Sequence, residues 1–95
     1  MQADVALMNV FGVRVAVVSV DRTMLASPAE QMRAVEYFSK AEQLQGYQVC
    51  LGAKPEPCFF AEFAAPKSIS NHLLQIGWLR IPWQAVDLTF PSKPS

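Results

Sequence analysis

An excess of either charge is the first thing missing. The chain has 95 residues, eight Lys or Arg against eight Asp or Glu, and a formal net charge of zero. No block of like charge occurs, so the electrostatic footprint of a nucleic-acid binder or of a membrane-surface protein is absent. Neutrality also removes one barrier to self-association. Two cysteines, Cys50 and Cys58, are too few for a disulfide framework or a four-ligand zinc site, and His72 is the single histidine. A set made of Cys50, Cys58, His72 and one carboxylate matches no metal-ligand spacing, so the expectation is two packed thiols, no metal and no cofactor. If the 51–58 stretch closes a hairpin, Cys50 and Cys58 fall on facing strands, within bridging reach under oxidation. Four scattered glycines make neither a phosphate loop nor a dinucleotide fingerprint. No nucleophile elbow or metalloprotease helix is present either. No catalytic residue is assigned, and the reading leans away from an enzyme.

Long hydrophobic runs are missing too. The apolar stretch over 5–20 is broken by Asn9 and Arg14, and it is shorter than the ~20 residues that span a bilayer. No basic region precedes it and no small-residue cleavage site follows. The expectation is a cytoplasmic protein without a membrane segment.

What is present is apolar side chains in number: 52% of residues are hydrophobic and 17% charged, a balance that favours a packed core over disorder. The length suits one domain, expected over 1–90 with 91–95 as a frayed tail. The stretch 13–20, with five valines in eight positions, is the strongest strand signal, because β-branched side chains suit a pleated sheet and crowd a helix. Val13, Val15, Val17 and Ser19 share one face; Arg14, Ala16, Val18 and Val20 share the other. Both faces are largely apolar, which marks an interior strand covered on two sides. A strand over 5–10 precedes it, and Phe11-Gly12 is read as a hairpin turn rather than a bulge in one long strand.

Ser27-Pro28-Ala29-Glu30 is a helix start: Ser27 caps, Pro28 suits the first turn and Glu30 completes a capping box. The helix is predicted to run to Gln45 with Gly46 beyond it. Ala34, Tyr37, Phe38, Ala41 and Leu44 form its apolar stripe, while Arg33, Glu36, Lys40 and Gln43 face water. Strands follow over 47–51 and 58–63, then a second helix capped by Ser68 or Ser70 and ending near Gly77. That helix buries Ile69, Leu73 and Ile76, and a last strand covers 85–90. The order ββαββαβ predicts an α+β two-layer sandwich, a mainly antiparallel sheet of about five strands with both helices on one face. That arrangement leaves the other face of the apolar strands uncovered.

The uncovered face carries the functional expectation. A small non-enzymatic protein-binding module, homodimerising through that face, accounts for the two-faced strands, the neutral charge and the absent chemistry. Phe60, Glu62, Trp78, Arg80 and Trp83 are the interface candidates, since Trp and Arg are enriched at binding hot spots. The competing reading of Trp78 and Trp83 is a lid of indole rings on a small core. A second function is a small-molecule binder or minor enzyme, with a pocket between the sheet and the Trp78–Trp83 segment and His72 and Glu62 as its polar groups. A third is an inhibitor or accessory subunit of a larger complex. Base stacking on the tryptophans lacks the basic groove it needs.

Overall fold

The computed structural model describes residues 1–53, 58–61 and 66–91, the side chains of 58–61 and of Pro66 excepted. Five strands, β1 (Gln2–Val10), β2 (Val13–Ser19), β3 (Gln48–Ala53), β4 (Cys58–Ala61) and β5 (Gln84–Asp87), form one sheet in the order β4-β3-β2-β1-β5. Helix α1 (Pro28–Ser39) lies between β2 and β3 in sequence, and α2 (Pro66–Ile76) between β4 and β5. Short 3-10 turns at Arg22–Leu25, Glu42–Leu44 and Trp78–Arg80 are additions to the expected order. The class is α+β and the sheet is mixed: β2 and β3 are parallel, the other pairs antiparallel. A parallel pair needs a crossover, and α1 supplies it. No helix among the described residues is long and apolar enough to cross a membrane.

The valine strand sits at the centre of the sheet, and Val15, Ala16, Val17 and Val18 are fully buried. Ala16 and Val18 join Val5, Val49 and Leu51 under Ala34, Val35 and Phe38 of α1. Val15 and Val17 join Ala6, Val10 and Cys50 under Ile69 and Leu73 of α2, with Ile81 beside them. The helices therefore lie on opposite faces, which corrects the expectation of two helices on one face. The physical reason lies in the connections. Helix α1 joins neighbouring strands, whereas α2 joins the two opposite edges of the sheet and crosses the face that α1 leaves free. Each fully buried valine is worth roughly 1.5–3 kcal/mol, and β2 collects that on both sides.

The hairpin turn is Phe11-Gly12, with φ of 52° and 82°, the paired positive values of a type I′ turn. Ser27 Oγ accepts the Glu30 N–H at 3.2 Å and caps α1. That helix stops at Ser39 instead of Gln45, because the side chain of Gln45 folds back and donates to the Ser39 and Ala41 carbonyls at 3.0 and 3.1 Å. Ala41 turns extended there, which lets Ala41 and Leu44 both bury themselves. Helix α2 starts at Pro66, so Ser68 and Ser70 lie within it and not at its cap. Proline suits a first helical position, where no N–H is needed. The last strand ends at Asp87; Leu88 still exchanges backbone bonds with Met1, and Phe90 packs on the α1 side of the core.

Candidate functional site

The sequence-derived candidates fall in different places. Trp78 is buried and its ring centre lies 4.8 Å from that of half-buried Trp83. Trp83 Nε1–H donates to the Trp78 carbonyl at 2.9 Å, which ties the two ends of the segment together. Arg80 stays exposed on the turn, next to Leu79, which is 91% exposed. Between this segment and the sheet lies packed apolar core: Ile81 is buried among Val10, Val15 and Leu73, with Ile76 and Trp83 against them. Among the described residues these side chains pack against one another on the face that α2 covers.

His72 is half-buried, and its ring meets Phe11 edge to face, with centroids 5.0 Å apart. Its neighbour is thus an aromatic residue on the hairpin tip, which no sequence spacing announces. Phe60 stands opposite Leu51 in the β3–β4 register, while its side chain and all of Glu62 lie outside the described residues. No group of three or more His, Cys, Asp or Glu side chains among the described residues is arranged to hold a metal ion.

The cysteine bridge is excluded by register. Cys50 faces Ala61 and Cys58 faces Ala53, so the two are offset by three positions along antiparallel strands. At ~3.3 Å per residue that offset alone is about 10 Å, beyond the ~7 Å Cα limit for a disulfide. Cys50 is fully buried in the α2 face of the core.

An apolar groove that no sequence motif announces lies along α1. Glu30, Arg33, Ala34, Tyr37 and Phe38 recur at i, i+3, i+4, i+7 and i+8 on α1 and form one wall; Met1 and Met24 close the other side. The groove encloses about 440 Å³. Tyr37 remains 48% exposed within it and stacks on Phe90 at 4.4 Å, so the strap after β5 braces the wall. Arg33 pairs with Glu30 at 3.6 Å on the rim. The signal is the α1 spacing, which continues from Phe38 back through Arg33 to Glu30, one turn beyond the apolar stripe. Methionine and tyrosine surfaces adapt to different apolar partners. The chain matches no protein-family model, no curated protein and no solved structure.

Proposed function

We propose that this protein is a small binding module that self-associates through the α1 groove. The carrying observation is the groove itself: Ala34, Tyr37 and Phe38 line it with Met1 and Met24, and the paired side chains of Glu30 and Arg33 border it. An apolar floor within a polar rim is the arrangement of protein contact surfaces. The covered sheet faces redirect the expected homodimer from the sheet to this groove. The zero net charge favours a second copy as the partner, since two copies meet without a long-range barrier. The test is native mass spectrometry and sedimentation of the wild type and of Tyr37→Lys. A dimer that dissociates in the variant supports the reading; an all-monomer wild type at 100 µM overturns it.

A second reading is a small apolar ligand in the same groove, because its volume of about 440 Å³ lies within the ~300–1,000 Å³ of small-molecule sites. A monomer carrying a non-covalent mass adduct, lost in Tyr37→Lys, favours this reading over the dimer.

A further inference from the structure

The outer edge of β5, the last strand of the sheet, has a backbone pattern that follows from its register. Leu88 N–H donates to the Met1 carbonyl at 2.6 Å, and Met1 N donates back to the Leu88 carbonyl at 3.1 Å. An antiparallel ladder alternates such hydrogen-bonded pairs with unbonded ones, so Val86 and Gln84 bond to β1 at Ala3 and Val5. Ala85, Asp87 and Thr89 then turn their N–H and C=O groups away from the sheet. Thr89 shows this directly: its N–H donates to Gln43 Oε1 at 2.9 Å, and its carbonyl accepts Glu42 N–H at 2.9 Å. At the other end Trp83 N–H is turned onto the Ile81 carbonyl at 2.7 Å. Among the described residues no strand pairs with this outer edge, which is bounded at both ends and centred on Ala85 and Asp87.

Charge selects what fits there. Directly opposed residues share a face, and the pairs Gln2 with Asp87 and Asp4 with Ala85 put both carboxylates on one face of this edge. Asp4 is exposed, and Asp87 is 85% exposed although its Oδ1 accepts a hydrogen bond from Met1 N at 3.1 Å. Gln2, Ala3, Asp4 and Ala85 line a shallow groove of about 230 Å³ alongside. No Lys or Arg side chain among the described residues pairs with either carboxylate.

We propose that the β5 edge takes a basic extended segment of a partner protein by strand addition. Backbone bonds from Ala85 and Asp87 set its register, and alternate Lys or Arg side chains on it meet Asp4 and Asp87. Strand addition draws its affinity from main-chain bonds and its selectivity from alternate side chains. The proposal goes beyond the α1 reading: Asp4, Ala85 and Asp87 do not line that groove, although Met1, which does, pairs with Asp87.

The probe is a labelled acetyl-Val-Lys-Val-Lys-Val amide, with a Glu-for-Lys counterpart as control, titrated onto the full chain while amide hydrogen exchange is followed. The expected result is slowed exchange at Ala85 and Asp87, affinity that falls with salt, and at least about tenfold preference over the Glu peptide. The paired change Asp4→Asn with Asp87→Asn removes that preference without touching a buried group. Equal affinity for both peptides, or no protection at Ala85 and Asp87, overturns the proposal. So does protection that grows with protein concentration before peptide is added, because a second copy then holds the edge. The oligomeric state of Tyr37→Lys reports on the α1 groove separately, so either idea fails alone.

Discussion

Gln43 and Thr89, 46 residues apart, hold each other by two bonds: Gln43 Nε2 donates to Thr89 Oγ1 at 3.0 Å, and Thr89 N–H donates to Gln43 Oε1 at 2.9 Å. A residue expected merely to face water thus clasps the strap after β5. The clasp brings Leu88 into the core and Phe90 onto Tyr37. Gln43→Ala removes both bonds and leaves the Thr89 amide to water. The expected cost is about 1–2 kcal/mol in urea unfolding, with faster amide exchange at Thr89 and unchanged exchange in β2. Wild-type exchange at Thr89 in the variant would show that the clasp adds nothing.

Phe11 occupies a backbone conformation that disfavours large side chains, with φ of 52° and its ring 71% exposed. Asn9 Oδ1 accepts the Gly12 N–H at 2.9 Å and holds the turn. Phe11→Asn creates the Asn-Gly pair that type I′ turns prefer, at the cost of the ring contact with His72. Stability should rise by about 0.5–1 kcal/mol, seen as a higher Tm. A lower Tm would mean that the Phe11–His72 contact outweighs the strain.

Val17 and Val18 are neighbours in sequence and belong to different halves of the core. Val17→Ala and Val18→Ala should each cost about 1–3 kcal/mol. Because one opens space under α2 and the other under α1, the double variant should equal their sum within about 0.5 kcal/mol. A strong departure from additivity in denaturant titrations would show that the layers are coupled through β2.

Cys50 is fully buried, so a thiol reagent reaches it only on opening of the α2 face. At reagent concentrations that outpace reclosing, its labelling rate should level off at the local opening rate, and it should rise steeply with urea. Mild oxidation should produce no Cys50–Cys58 bridge in folded protein, since the register offsets the two. A bridged species on non-reducing mass analysis would require that register to slip.

Much of the framework was written in local pattern. Val13–Ser19 reads as a strand because four of its seven residues are valines, the side chains that suit a buried strand. Phe11-Gly12 reads as a turn, and Ser27-Pro28 starts α1 where it was expected. Those are contests within a few residues, and nearby side chains decide them. The end of α1 was not legible. It depends on the Gln45 side chain reaching back to Ser39 and Ala41, and on Thr89 accepting from Glu42. Both partners compete with a helix that the 40–45 stretch would otherwise continue.

The composition and alternation of β2 required that both faces of this strand be covered, because no stable strand leaves its valines in water on either side. They did not say by what. That depended on the side of the sheet to which each helix crosses, a property of strand order and not of any one segment. With α2 linking the two sheet edges, the second face closed over Ile69, Leu73 and Ile81, and the tryptophan segment became part of that cover. An apolar groove remains along α1, where Tyr37 stays half exposed beside Met1 and Met24. Side-chain chemistry chose the elements; chain connectivity chose which of their surfaces remain free.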